Sequence, residues 1–155
     1  MPDSERLSIR DVDPAAYRAV YGISKYVREG KLEESLCALI DIRASQINGC
    51  AWCLDMHTEE ARQAGVDQRR IDLVAAWEEA GEIFSERERA ALAFTEAVTL
   101  ISEHGVPDAV WSEVAAAFDQ EEIVQLVMAI AAINVWNRMN VAVRTALGAE
   151  PAVPR

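Results

Sequence analysis

Positive charge is scarce in this chain of 155 residues: 15 Lys and Arg stand against 26 Asp and Glu, for a formal net charge of -11. Nucleic-acid binding draws on clustered cations that neutralise phosphates. No basic run of that kind occurs, so no nucleic-acid partner is expected. Long apolar runs are also missing. The longest, centred on VMAIAAINVW, falls short of the about 20 residues that span a bilayer. The opening MPDSERLSIRDVD lacks the cationic start and apolar stretch of a secretory signal. These absences lead to the expectation of a cytoplasmic protein with no membrane partner. Cysteine is limited to 3 residues, two close together and one distant, which is poor material for a disulfide scaffold. In a reducing cytosol such thiols are redox-active, metal-binding or merely buried.

Strand-like alternation is hardly visible, and there is no Gly/Ser linker, low-complexity tract or convincing repeat. What the chain has in abundance is helical signal. Hydrophobic residues make up 51% and charged residues 26%, an ordinary globular balance. The length suits one domain of roughly 100 to 200 residues. The expected architecture is therefore all-α, a compact bundle of roughly seven helices, in a single domain over 1–155 with its core at about 33–147.

Asp13 before Pro14 starts the first helix, which carries Tyr17, Val20, Tyr21, Ser24 and Val27 at helical spacing and stops at Gly30. The second spans about Glu33 to Ile47, with Leu36, Leu39, Ile40 and Arg43 in register, before Asn48-Gly49 breaks it. A third runs from near Cys50 to Gly65, and a short fourth from Asp67 to near Gly81. Ser85 with Glu88 caps a fifth that closes at Gly105, with Ala91, Phe94, Val98 and Ile101 as its expected buried face. Pro107 opens a sixth through Val110, Val114 and Phe118. Asp119 with Glu122 caps a seventh that runs to about Leu147, after which PAVPR should fray.

The stretch that carries chemistry is Asn48-Gly49-Cys50-Ala51-Trp52-Cys53-Leu54-Asp55-Met56-His57. If Cys50 opens a helix, Cys53 lies three residues on and His57 four beyond that, so all three project from one face. A thiolate at a helix N-terminus is favoured by the macrodipole, and a CxxC pairing or a nearby imidazole lowers its pKa further. Either cysteine then becomes a nucleophile near neutral pH. Attack on a peroxide or disulfide leaves a sulfenic acid or mixed disulfide that the other cysteine resolves, while His57 moves the proton. Two other readings stay open. The cysteines can be a buried structural pair, or Cys50, Cys53, His57 and the distant Cys37 can supply four zinc ligands. Structural zinc sites usually bring a second paired knuckle, which is missing here. No cofactor and no metal are expected; haem attachment is excluded because Leu54, not histidine, follows the second cysteine.

IRASQINGCAWCLDMHTEEARQAG, read as RxSQxNGCxxCxxMHxxxAxxxG, resembles the core of the AhpD-like alkylhydroperoxidases within the carboxymuconolactone decarboxylase superfamily. ERERAALAFTEAVT and IAAINVWNRMNVA also look like helices of that family, so the resemblance extends from about Leu36 to Ala142. It implies an all-α subunit that assembles with copies of itself, as a trimer or hexamer. It also implies a thiol-dependent peroxidase or disulfide oxidoreductase of antioxidant defence, with a peroxide substrate and a thiol reductant. By the same resemblance Cys53 attacks the peroxide, Cys50 resolves it and His57 belongs to a proton relay.

Many AhpD-like members carry a relay glutamate twelve residues before the first cysteine, where this chain has Ala38. Glu34 and Asp41, about one turn either side, and Glu96 in the fifth helix are the carboxylates that could substitute. A non-enzymatic redox-sensing or zinc-binding assembly protein is the competing reading, and the paired cysteines argue against the lactone decarboxylase branch. Among the remaining residues, His104 before Gly105 suits helix capping. Trp77, Trp111 and Trp136 suit the core or an interface. Arg43 and Arg138, in otherwise apolar helices, call for a partner.

Overall fold

A computed structural model describes residues 5–148 of the chain. Nine α-helices occur among them: α1 (Ile9–Val12), α2 (Pro14–Arg28), α3 (Glu34–Asn48), α4 (Ala51–Gln63), α5 (Gln68–Leu73), α6 (Glu86–Thr99), α7 (Ile101–His104), α8 (Asp108–Ala117) and α9 (Gln120–Val143). Short 3-10 turns lie at Val74–Ala76 and Gly81–Ile83, and no strand is formed among the described residues. The all-α expectation holds.

The helix starts follow the capping chemistry in the sequence. Asp13 accepts from the Ala15 and Ala16 N–H groups with Pro14 in the first turn of α2. Reciprocal capping boxes join Ser85 to Glu88 at α6 and Asp119 to Glu122 at α9, satisfying backbone donors that the helix itself leaves unpaired.

The core is organised around α3, which packs against α4, α6 and α9. Leu36 and Ile40 of α3 meet Ala91 and Phe94 of α6, Val114 of α8, and Leu126 and Ile130 of α9 in one cluster. Ala38, Leu39 and Ile42 meet Ala61 of α4, Ile71, Val74, Trp77, Phe84 and Leu92 in a second. A helix buried on both sides is apolar nearly all round, which explains how α3 serves both clusters. Full burial of a Leu, Ile or Phe contributes about 1.5–3 kcal/mol, so α3 is the element the rest is built upon.

Four expectations need correction. The fourth helix is only α5; after Leu73 the chain tightens into 3-10 turns that seat Val74 and Trp77 in the core. The fifth does not run unbroken to Gly105: it breaks at Leu100, and Ile101, expected on its buried face, is 60% exposed. The last helix ends at Val143 because Arg144 turns left-handed, four residues before Leu147. The N-terminal turn α1 was not expected at all. The tail PAVPR lies outside the described residues.

At 24 residues, with a mean hydropathy of 1.4 over an 18-residue window, α9 is long and apolar enough to cross a membrane, although the apolar run inside it looked too short. It is also a packed helix. Ile123, Leu126, Ala129, Ile130 and Ile133 are buried against its neighbours, along with the polar Gln125 and Asn137.

Candidate functional site: a cysteine pair at the start of a helix

The site is made by the junction of α3 and α4. Asn48 ends α3, and Gly49 follows with φ 67°, a left-handed conformation that costs an L side chain about 1 kcal/mol or more. There its N–H reaches the Ser45 and Gln46 carbonyls, and the Cys50 N–H donates to Ser45 O at 3.0 Å. This tight reversal leaves Cys50 as the extended N-cap of α4. Its Sγ takes the place usually held by a Ser or Asp oxygen and accepts the Cys53 N–H at 3.3 Å.

Cys50 and Cys53 are joined in a disulfide, with their Cα atoms 5.3 Å apart. Both are deeply buried, at 1% and 0% exposure. The two sulfurs therefore sit together at the start of α4, and His57 follows one turn further along the same helix. The side-chain amide of Asn140, on α9, approaches Cys53 Sγ with its Nδ2 at 3.6 Å.

His57 is itself nearly buried and lies between two carboxylates. Its Nδ1 is 2.7 Å from Glu60 Oε2 and 3.5 Å from Asp41 Oδ2. Burial pushes the Asp41 carboxyl up to about 6, and Glu60 adds to the rise, while His57 and Arg28 oppose it. A carboxylate poised there can exchange a proton near neutral pH.

The three carboxylates proposed in place of the missing glutamate part company. Ala38 and Asp41 line the same cavity, and Asp41 faces His57. Glu34 is exposed and stands on the wall of that cavity, at the start of α3. Glu96 lies elsewhere: its Oε1 accepts from Arg43 Nε at 2.8 Å and Trp77 Nε1 at 2.7 Å, tying α3 and α6 to the turn after α5. That contact supplies the partner expected for Arg43. Arg138 instead donates to Asn134, to its side-chain oxygen at 2.6 Å and its carbonyl at 3.3 Å.

Two residues of this neighbourhood went unread in the sequence. Glu60 carries a signal, since it lies three residues beyond His57 on one helix face. Asn140 offers only a weak one, the three-residue recurrence of Asn134, Asn137 and Asn140 on α9.

Cys37 is half-buried on the same cavity wall as Asp41 and His57. Burial, reinforced by Asp41, Glu33 and Glu34, pushes its thiol up to about 12, so it is protonated and unreactive at neutral pH. The four-residue zinc set does not come together in this form, because Cys50 and Cys53 are bonded to one another. Among the described residues, those whose ligand-type atoms do converge, within 4.8 Å, are Asp41, His57 and Glu60. Their mixed N and O chemistry could accept a divalent cation.

Beside His57 opens a cavity of about 360 Å³. Tyr17 and Tyr21 of α2, Trp52 and Met56 of α4, and Ile133 and Trp136 of α9 give it apolar and aromatic walls; Asp41, His57 and Glu60 form one polar group on it, and Arg28, Glu34 and Gln63 add further polar side chains. Trp136 is held by its Nε1–H donating to Ser24 Oγ at 2.7 Å. Small-molecule sites have this composition, apolar walls with a few convergent polar groups.

Known proteins are similar to this chain in fold and, in part, in sequence. A protein of unknown function from Agrobacterium tumefaciens, described as an AhpD antioxidant-defence candidate, superposes with a TM-score of 0.90 at 41% identity, covering 95% of this chain and 100% of that one. The uncharacterized protein YdfG of Bacillus subtilis is 39% identical over 139 residues, which is 90% of this chain and 94% of the relative. The debrominase Bmp8 shares the fold, with a TM-score of 0.80 at 23% identity, over 90% of this chain and 74% of its own. The family model of the carboxymuconolactone decarboxylases matches residues 14–97, which take in α2, α3, the cysteine pair and His57. By the family model over residues 14–97 and the likeness to the Agrobacterium protein, the chain belongs to the carboxymuconolactone decarboxylase family, in its AhpD-like branch.

Proposed function

We propose that the protein is a thiol-dependent peroxidase, or more broadly a disulfide oxidoreductase of antioxidant defence, cycling between a Cys50–Cys53 dithiol and the disulfide. The observation that carries this reading is the bridged pair at the start of α4, with His57 one turn on and flanked by Asp41 and Glu60. In the reduced form the Cys53 thiolate attacks the terminal oxygen of a hydroperoxide. The O–O bond breaks, Cys53 becomes a sulfenic acid, and the alkoxide leaves as the alcohol after taking a proton relayed through His57 and Asp41. The Cys50 thiolate then attacks the sulfenic sulfur, expelling hydroxide, which is protonated to water as the bridge forms. An external dithiol reduces the bridge and is itself oxidised to a disulfide.

The apolar cavity beside His57 favours an organic hydroperoxide as substrate. The setting that suits this chemistry is a reducing, cytoplasmic one, and the working unit is a homo-oligomer, a trimer or hexamer. Turnover of cumene hydroperoxide with dithiothreitol as reductant tests the reading. Sustained turnover, abolished in Cys53→Ser, supports it; consumption that continues unchanged in Cys53→Ser overturns it.

Ala38 favours a second reading, a redox-sensing assembly protein that is oxidised once without turnover. In the same assay it gives one oxidation per subunit and then stops.

A further inference from the structure

Asn134, Asn137 and Asn140 recur every third residue along α9. The first two knit α9 to the C-terminal end of α3. Asn48 Nδ2 donates to Asn134 Oδ1 at 3.0 Å and to Asn137 Oδ1 at 2.9 Å, and Asn137 Nδ2 donates to Ser45 Oγ at 3.0 Å. Asn134 Nδ2 continues the chain to Thr99 Oγ1 at 3.0 Å. These bonds hold α9 against the reversal that carries the cysteine pair. Asn140 is the next residue on the stripe, and it meets a sulfur: its Nδ2 lies 3.6 Å from Cys53 Sγ.

The amide is held in that orientation from behind. The Thr145 hydroxyl donates to Asn140 Oδ1 at 2.8 Å, which leaves the NH2 group to face the sulfur, and the Thr145 N–H donates to Asn140 O at 3.0 Å. Thr145 reaches back over Asn140 because Arg144 adopts φ 56° and ψ 54°. Among the described residues Arg144 is the one non-glycine with positive φ. A conformation that disfavours an L side chain thus closes α9 and aims the Asn140 amide.

We infer that Asn140 is a further residue of the redox site, a hydrogen-bond donor to the Cys53 sulfur that stabilises its thiolate, with Thr145 as the residue that positions it. When an external dithiol reduces the bridge, two electrons pass to the two sulfurs and the dithiol becomes a disulfide. The Asn140 N–H then faces a thiolate and makes a charge-assisted bond, stronger than the contact to the bridged sulfur. The two cysteines are served differently: Cys50 Sγ takes a backbone donor from the first turn of α4, and Cys53 Sγ takes a side-chain donor from α9. The titratable groups nearest Cys53 along the chain are Cys50 at the start of α4 and, one turn on, His57, which meets Glu60 of α4 and Asp41 of α3; Asn140 and Thr145 of the α9 end add no charge. The inference rests on the proposed role of Cys53 as the attacking thiol.

The test uses the full chain carrying Cys37→Ala and Cys50→Ser, which leaves Cys53 as its one thiol; serine is a good N-cap in place of Cys50. The rate of alkylation by iodoacetamide is followed against pH. Asn140→Ala should move the midpoint up by about one pH unit. Asn140→Asp should move it further, because a carboxylate then faces the thiolate, and Thr145→Val should give an upward shift of about half a unit. Coincident midpoints in all three variants overturn the inference. Should the Asn140 variants lose their helical circular dichroism, Thr145→Val decides: a midpoint at the parent value overturns the inference, and an upward shift supports it. No peroxide enters this measurement, so its failure is distinct from failure of the peroxidase reading. Displaced midpoints in a protein without turnover leave the role of Asn140 standing, and turnover with coincident midpoints removes it.

Discussion

Asp41 shows how one residue links burial to pH. Its carboxyl is raised to about 6 by burial, against an ordinary value of 3.8. The folded chain therefore holds that proton more tightly than the unfolded one. The stability this contributes is complete below about pH 3.8 and is lost as pH rises through about 6. Asp41→Asn should consequently raise the melting temperature at pH 7, with the gain shrinking toward pH 4; a scan of melting temperature against pH checks it. If Asp41 relays protons with His57, peroxide turnover of the parent should fall on the acid side of about pH 6, and Asp41→Asn should lower kcat by roughly 10²-fold or more. The sequence marked Asp41 only as one of three carboxylates near or beyond Ala38. Helical periodicity placed it close to the missing glutamate, but which of the three meets His57 depends on how α3 and α4 pack, and that is a tertiary fact. Glu96 shows the converse: an equally good candidate on paper is claimed by Arg43 and Trp77.

At the scale of the element, the junction of α3 and α4 was the most legible part of the chain. Asn48-Gly49 announced the break and so a new helix from near Cys50, on which Cys53 and His57 then fall at helical spacing. The Gly49 conformation explains why so short a connection suffices. Nothing lies within 4 Å of a Cβ built at Gly49, so the cost of Gly49→Ala is one of backbone strain alone, about 1 kcal/mol. Denaturant unfolding should show that loss, with a corresponding displacement of the cysteine pair's redox behaviour. The end of α9 was less legible. Its helical pattern continues to Leu147, but Arg144 turns left-handed where no glycine marks the stop. Asn137 is fully buried between Asn48 and Ser45. Asn137→Ala leaves their polar groups without this partner, and should destabilise the protein by about 2–3 kcal/mol, measurable by the same unfolding experiment.

For the molecule as a whole, fold class and family could be read from the sequence because both rest on local pattern: capping boxes, apolar periodicity and the motif around the cysteines. The boundaries that failed, at Leu73, Leu100 and Val143, are places where core packing or backbone geometry ends a helix that sequence periodicity would extend. Exposed apolar side chains such as Trp111 on α8 and Val124 and Val127 on α9 are surfaces that association would cover. Light scattering should give the mass of a trimer or hexamer of the 17.1 kDa chain; a monomer at micromolar concentration would contradict that assembly. The aromatic cavity joins α2, α4 and α9, and no single segment of sequence announces it.

The most direct test of the central claim is to mix the fully reduced protein with one equivalent of cumene hydroperoxide and follow thiol loss and the product by mass spectrometry. One cumyl alcohol should form per Cys50–Cys53 disulfide, Cys37 should stay reduced, and added dithiothreitol should restore the dithiol for another round. Oxidation of Cys37 with the pair still reduced, or peroxide loss at the parent rate in Cys53→Ser, would contradict it.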